Sequence, residues 1–365
     1  MDLLSEESSE TRVLAARHIS ADKSPPESSN AINATLLCHT YSLHPDFNTY
    51  NAALQPYAWV LWAGGLLVLL AIWVLYILTL RSTLRHWRQN KVNVAVVLSV
   101  YPMVAGAAFI AVAVPRARVL AEAAAQEAVM IALYHFFCLV IAECGGPEQL
   151  ITKSAGSRLE TRVLPCCCWP CCVIPQPKLE RNKLKWLRCL VLQMPIVQAL
   201  LYMLIIIIWA EDYMMYHQKF VYFQPFIAAS ILSGVWGVVM CVRTVSTLGY
   251  NPKPRFLAVQ LVLIIVKLQC GLAKTLADVV HLPCVVPLHP TVFVNLIQNS
   301  VMMLEMLLLS LWAWRLYRIQ PGKNLDKKVQ KAVIATVDDA CDVKIIKEGI
   351  DNKSKRIDIR YIFVT

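Results

Sequence analysis

Seven long apolar stretches are the feature that most constrains this chain. A helix needs about 20 apolar residues to cross a hydrocarbon core of roughly 30 Å. The stretches that reach this length are 57–80, 92–114, 119–142, 190–209, 220–242, 256–280 and 292–314. Hydrophobic residues make up 57% of the chain and charged residues only 16%, which is outside the range of soluble proteins. The sequence therefore predicts an all-α membrane protein with seven transmembrane helices.

The basic residues between the spans predict the orientation. Segments 81–91, 143–189, 243–255 and 315–365 hold 27 Lys and Arg residues, whereas the first 56 residues and the segments on the other side hold six. Cytoplasmic loops carry an excess of basic residues, so the amino terminus is expected outside and the carboxyl terminus in the cytosol. The net charge of +11 then reflects topology and does not indicate a nucleic-acid partner.

Three regions follow from this topology. Residues 1–56 form an outer tail whose first 50 residues are rich in Ser, Glu, Asn and Pro and are predicted to be disordered, with no evident cleaved signal peptide. Residues 57–318 form the transmembrane domain, which includes the cytosolic loop 143–189, and residues 319–365 form a cytosolic tail. Asn33 begins a glycosylation sequon on the side predicted to be lumenal.

A block of five cysteines lies in the cytosolic loop before the fourth span. Its members are Cys166, Cys167, Cys168, Cys171 and Cys172. A disulfide framework is not expected in the reducing cytosol, and a structural zinc site would need a second ligand pair, which this loop lacks. Cysteines beside a bilayer and a basic patch are typical S-palmitoylation sites, so acylation is favoured over an unmodified loop. Outside the membrane, a single bridge between Cys38 and Cys284 is an alternative with weak support.

The sixth span carries a narrow polar stripe. At 100° per residue, Gln260, Lys267, Lys274 and Asp278 fall within about 40° of one another, whereas Gln269 lies on the opposite side. Ionisable groups in a bilayer are costly, so each one needs a partner or a wet cavity. This stripe is therefore the first candidate for a solute path.

Depth along the helices suggests partners for these groups. Lys267 and Glu305 lie at similar depths in the sixth and seventh spans, which predicts an ion pair between them. Lys274 lies near the depth of Glu127 and is also four residues before Asp278, the spacing of a helical ion pair. Two interpretations remain open: closed salt bridges that fix helix packing, or a path on which a lysine exchanges its carboxylate for an anionic substrate.

Several short motifs give the chain a family resemblance. They are the cysteine block, Pro115-Arg116, Glu143 with Gly145-Gly146, Gln198, Arg255-Phe256 followed by Gln260, and Leu304-Glu305-Met306. In this order the chain resembles the organic solute transporter alpha-subunit family over about residues 57–318. The resemblance implies facilitated, gradient-driven transport of amphipathic solutes such as bile-acid or steroid conjugates. It also implies a cell-membrane or endomembrane location and, in many members, a single-span beta subunit; a homo-oligomer is the alternative assembly.

Other classes of function fit the sequence less well. The chain lacks the acidic-Arg-Tyr and Asn-Pro-x-x-Tyr motifs of G-protein-coupled receptors. Metal-dependent hydrolysis in a bilayer would need several His or Asp ligands, and His135 is the one histidine within the predicted spans, so no enzyme, metal or cofactor is expected. A membrane-organising or trafficking component with little transport activity remains the alternative.

Overall fold

The computed structural model describes residues 45–55, 57–85, 90–154, 159, 161, 163, 177–279 and 288–318. The predictions for Asn33, Cys38, Cys284 and the cysteine block lie outside these residues. The helices are α1 (Phe47–Leu54), α2 (Ala58–Leu84), α3 (Lys91–Ala113), α4 (Arg118–Glu143), α5 (Pro147–Lys153), α6 (Arg181–Glu211), α7 (Tyr213–Thr247), α8 (Lys253–Val279) and α9 (Pro290–Arg318). A 3-10 turn, Pro115–Ala117, precedes α4.

The seven predicted spans are confirmed as helices long and apolar enough to cross a membrane: α2, α3, α4, α6, α7, α8 and α9 in chain order. Several helices continue past the apolar stretch that predicted them. Helix α6 begins at Arg181, nine residues before the predicted start of the span at residue 190. Lys and Arg have a high helix propensity and are also well solvated in water. A helix can therefore extend beyond the boundary of the hydrocarbon, which is the boundary that composition detects.

Helix α4 lies at the centre of the bundle, where it contacts α3, α6, α7 and α8. Helix α9 packs against α2, α3 and α8, and α7 packs mainly along α6. Helices α7 and α8 meet each other less than either meets α4. Helix α2 is peripheral and exposes most of its apolar surface, as expected for a helix that faces lipid.

The short helix α1 lies in the tail that was predicted to be disordered up to residue 50. It packs on the bundle through Tyr50 and Leu54, both of which are buried. The Tyr50 hydroxyl donates a hydrogen bond to the backbone oxygen of Val112 at the end of α3, 2.8 Å away. The prediction is therefore wrong for residues 47–50, because the two apolar residues at i, i+4 provide a face that local composition obscures.

Two glycines end α4 in a Schellman motif. The Gly145 N–H donates to the Ala142 oxygen (3.1 Å) and the Gly146 N–H donates to the Ile141 oxygen (3.2 Å). Gly145 has a φ of 95°, in the left-handed region that residues with a Cβ rarely adopt. The Gly pair of the family motif thus ends α4, with only Cys144 between the pair and Glu143.

Parts of the following loop pack beneath the bundle at the end where α4 finishes. Leu159 is buried and its N–H donates to the Pro177 oxygen (2.9 Å). The Trp236 indole of α7 donates to the Thr161 oxygen (3.0 Å). The loop therefore covers this end of the bundle on both sides of the segment that carries the cysteine block.

Candidate solute-binding cavity

A cavity of about 660 Å³ occupies one half of the bundle. Its walls come from α3, α4, α6, α7, α8 and α9, and its residues lie near the ends of these helices on the side where α2 begins. We call this the amino-terminal side. The volume lies within the range of small-molecule sites in proteins.

Lys267 lies at the inner limit of the cavity on α8. Its ammonium group donates a hydrogen bond to the Gln126 side-chain oxygen of α4 and lies 5.9 Å from the centre of the Tyr202 ring of α6. Gln198 of α6 donates to the same Gln126 oxygen (3.1 Å), and the Gln126 amide donates to the Glu122 carboxylate (3.2 Å). Three helices thus meet at one amide, with the lysine charge beside the open space.

The α9 wall of the cavity is rich in amides. Asn299 donates to the backbone and side-chain oxygens of Asn295 (2.8 and 3.0 Å), and Gln298 donates to the Cys270 sulfur of α8 (3.6 Å). Arg118 and His289 line the cavity nearer its outer end. The wall therefore offers many hydrogen-bonding groups besides the lysine.

Much of the remaining lining is apolar, and many of these side chains are small. The small or flexible apolar members include Ala107, Ala108, Ala111, Ala121, Ala125, Val266, Val294 and Met302. The Lys and Arg residues of the lining, Lys267 and Arg118, outnumber its one described carboxylate residue, Glu122. Because small side chains leave room and fixed cations attract anions, the cavity is suited to a molecule with an apolar body and an acidic group. Within the described part of the chain, no group of three or more His, Cys, Asp or Glu residues could hold a metal ion.

The structure assigns Lys267 and Glu305 different partners from those predicted. Glu305 of α9 accepts a hydrogen bond from the Gln269 amide (2.5 Å), and Lys267 contacts Gln126 and Tyr202. Gln269 and Lys267 differ by about 160° around α8, so the face that meets Glu305 points away from the lysine. Equal depth in the membrane did not identify the neighbour of Lys267, because two residues at the same depth can lie on faces of their helices that point away from each other.

The other residues of the predicted path are more scattered. Gln260 lies two turns below Lys267 on the same face of α8, with a buried side-chain oxygen that has no partner in the described part of the chain. Glu127 of α4 is half-buried, has one carboxylate oxygen that is buried without a partner in the described part of the chain, and is not among the lining residues. Lys274 and Asp278 belong to α8, but their side chains lie outside the described part of the structure.

An ion pair joins α4 to α8 at the opposite end of the bundle. Arg255 of α8 makes a two-pronged contact with the Glu143 carboxylate of α4, whose second hydrogen bond is 3.0 Å long. The side chains of Arg255 and Glu143 are 10% and 5% exposed, and the guanidinium lies 5.8 Å from the Tyr317 ring of α9. Both charged residues belong to the family motifs, yet sequence reasoning did not predict that they pair across 112 positions.

Sequence reasoning also missed Gln126 and Gln198 as neighbours of Lys267. Gln198 was visible as a motif residue, and Gln126 follows Glu122 by four positions on one face of α4. Neither signal predicts that the two glutamines meet each other beside Lys267 of the sixth predicted span. The network could be found only from the packing of α4 against α6 and α8.

Seven membrane-length helices, six of which line a solute-sized, partly charged cavity, define a multi-pass membrane protein with room for a small molecule. The chain belongs to the organic solute transporter Ostalpha family, whose profile matches residues 60–322. This is a family of solute transporters and not of enzymes. The family interpretation of the motifs is therefore confirmed.

Curated relatives agree with this assignment. An organic solute transporter alpha-like protein of Drosophila melanogaster is 25% identical over 288 residues, which cover 78% of this chain and 87% of the relative. The organic solute transporter subunit alpha of Danio rerio is 23% identical over 263 residues, covering 70% and 80%. An alpha-like protein 2 of Caenorhabditis elegans is 27% identical over 191 residues, covering 51% and 54%. No solved structure matches the chain.

Proposed function

We propose that the chain carries amphipathic organic anions, such as steroid or bile-acid conjugates, down their gradients across the cell membrane. The observation that supports this most directly is Lys267 at the inner limit of a largely apolar cavity. The acidic group of the solute binds the ammonium, and the apolar body lies against the alanines and valines of the lining. The polar wall of α9 provides hydrogen bonds to hydroxyl groups of the solute.

Exchange at Lys267 is favoured by the chemistry of Gln126. An anion forms a stronger, charge-assisted hydrogen bond with an ammonium than a neutral amide does. A solute carboxylate or sulfate can therefore replace the Gln126 oxygen at the ammonium group. In this mechanism Gln126 is the resting partner, a role first predicted for Glu305.

Transport also requires that the cavity reach both sides of the membrane. The cavity lies towards the amino-terminal side, which we propose is the extracellular or lumenal side, in agreement with the basic residues of the opposite loops. On the other side, the Arg255–Glu143 pair and the contact between the Phe136 and Phe256 rings (5.9 Å) join α4 to α8. We propose that these contacts separate when the solute is released to the cytosol.

The assembly is proposed by analogy with the relatives. The Danio rerio protein is named a subunit, so we propose a single-span beta subunit as the partner of this chain, with a homo-oligomer as the alternative. Solute uptake by cells that express the chain with and without a single-span partner would distinguish the two.

The test of the proposed function is the substitution Lys267→Met. A hydrogen bond to a charged group contributes about 1.5–3 kcal/mol, so the initial rate of steroid sulfate uptake should fall about 10- to 150-fold at equal surface expression. Lys253→Met is the matched control, because Lys253 is an exposed lysine at the other end of the same helix.

Two other results would count against the proposal. Equal uptake by the wild type and Lys267→Met would reject Lys267 as a solute contact. Cells that express the wild-type chain, with or without a beta partner, could also take up no more solute than cells that lack it. That result would favour a membrane-organising or trafficking component.

A further inference from the structure

The cavity wall on α7 continues onto the outer surface of the bundle. Its lining residues run from Tyr216, which is buried, through Phe220 and Gln224 to Val221, which is 68% exposed. Tyr216 and Val221 are separated by about 140° around the helix. A cavity enclosed within the bundle would contact only the inner face of α7, so this wall leads outwards.

The wall of the cavity on α8 also runs from the interior to the outer surface of the bundle. Gly271 and Thr275 line the cavity and are exposed, and they lie about 40° and 80° from Lys267 around the helix. Leu268, at about 100°, is 64% exposed and belongs to the outer apolar surface of α8. The lining of α8 therefore also passes from the lysine to the surface that faces lipid.

The outer edges of these two walls, at Val221 on α7 and Gly271 on α8, lie at the same depth on either side of a gap between the helices. Val221 is eight residues after the start of α7 and Gly271 is eight residues before the end of α8, so each lies about 12 Å from the helix ends on the amino-terminal side. Exposed Tyr222 and Phe226 flank the gap on α7, and exposed Leu268 and Leu272 flank it on α8. Such apolar surroundings indicate hydrocarbon rather than water beside the gap.

Among the described residues, few contacts join α7 to α8 across the gap. Helices α7 and α8 contact each other less than either contacts α4, which forms the back of the cleft. A Cβ added at Gly271 would meet no atom of the described residues within 4 Å, so this position leaves open space at the edge of the gap. Gln224 and Thr275 supply polar groups on the two sides of the same opening.

We propose that the gap between α7 and α8 is a lateral portal that connects the cavity with the lipid leaflet on the amino-terminal side. An amphipathic solute dissolved in that leaflet enters sideways: its acidic group passes Gln224 and Thr275 towards Lys267 while its apolar body stays in contact with acyl chains. The nature of the solute rests on the proposed function, but the portal itself does not.

Cys270 makes the portal testable without any transport measurement. Its thiol lines the cavity beside Gly271. Dodecylmaleimide, which dissolves in the bilayer, is added to membranes that contain the full chain, and alkylation of Cys270 is followed by peptide mass spectrometry. Cys189, an exposed cysteine of α6 that does not line the cavity, is the reference within the same molecule.

Three tryptophan variants distinguish the routes. Gly271→Trp places a large side chain in the gap between α7 and α8. It should lower the rate of Cys270 alkylation, relative to that of Cys189, at least tenfold. Leu272→Trp changes the adjacent lipid-facing residue, and Thr291→Trp adds bulk to the cavity wall at the start of α9, away from the gap; each should change the ratio less than twofold.

The contrary results are equally specific. An unchanged ratio in Gly271→Trp, or an equal loss in Leu272→Trp, would overturn the portal. Slowing by Thr291→Trp but not by Gly271→Trp would overturn it in favour of entry from the aqueous end. Failure of the proposed function would instead appear as unchanged uptake in Lys267→Met and would leave these labelling ratios unaffected.

Discussion

Replacing Arg255 with methionine would leave the Glu143 carboxylate buried without its guanidinium partner. The two side chains are only 10% and 5% exposed, so solvent screens their interaction weakly. Removal of one member of a buried pair costs about 3–5 kcal/mol. Because this pair joins α4 to α8 at the end away from the cavity, we expect the cost to favour separation of the helices there. Even about 3 kcal/mol would raise the population of the open state more than 100-fold.

Cys144 reports on this opening because it directly follows Glu143. Its side chain is fully buried, and burial together with the Glu143 charge raises the pKa of the thiol to about 11. At neutral pH the closed protein therefore protects Cys144 both sterically and by protonation. Alkylation of Cys144 by a water-soluble maleimide, followed by mass spectrometry, should be about 100-fold faster in Arg255→Met than in the wild type.

Two further variants complete this test. Lys253→Met removes a nearby exposed charge and should leave the rate unchanged. The double variant Glu143→Leu/Arg255→Met removes both charges, and since apolar pairs often replace buried ion pairs without loss, it should return close to the wild-type rate. If Arg255→Met labelled Cys144 within threefold of the wild type, the ion pair would not be what keeps this end closed.

Two predictions concern the turn after α4 and the loop beyond it. Gly145→Ala places a Cβ at a φ of 95° and should lower the free energy of unfolding by about 1–2 kcal/mol, measured by SDS or thermal denaturation. Gly64→Ala lies in a helix, and its added Cβ would meet no atom of the described residues within 4 Å. It should instead be neutral or stabilising by up to about 1 kcal/mol, and equal effects of the two substitutions would contradict the strain argument. Replacement of all five block cysteines by serine should abolish incorporation of labelled palmitate and reduce surface delivery; equal labelling of wild type and variant would exclude the block as the acylation site.

Prediction from sequence succeeded where the bilayer itself sets the rule. In hydrocarbon, each backbone N–H and C=O must find a partner within the protein, and a single apolar segment can satisfy this only as a helix. Length and hydropathy therefore predicted all seven spans. Boundaries were less accurate, as at Arg181, because the ends of a helix in water are set by local contacts and not by the bilayer.

Sequence reasoning named one residue that lines the cavity, and the role of that residue in solute binding stays a prediction. Lys267 was singled out because a charge in an apolar span is costly, and it does line the cavity. Glu305, the partner predicted for Lys267, instead accepts a hydrogen bond from Gln269 on another face of α8. The pairing of Glu143 with Arg255 was missed for the same reason, although both residues were noticed as motif members.

The sequence by itself determined which segments form the seven membrane-length helices and which residues share a face of each one, because hydropathy and helical periodicity depend on residues close together in the chain. Only the tertiary structure decided that Gln126 and Gln198 meet Lys267, and that α7 and α8 stand apart around the cavity. The rotation and neighbours of a helix depend on how side chains from distant segments fit together. Periodicity along one helix does not contain that information.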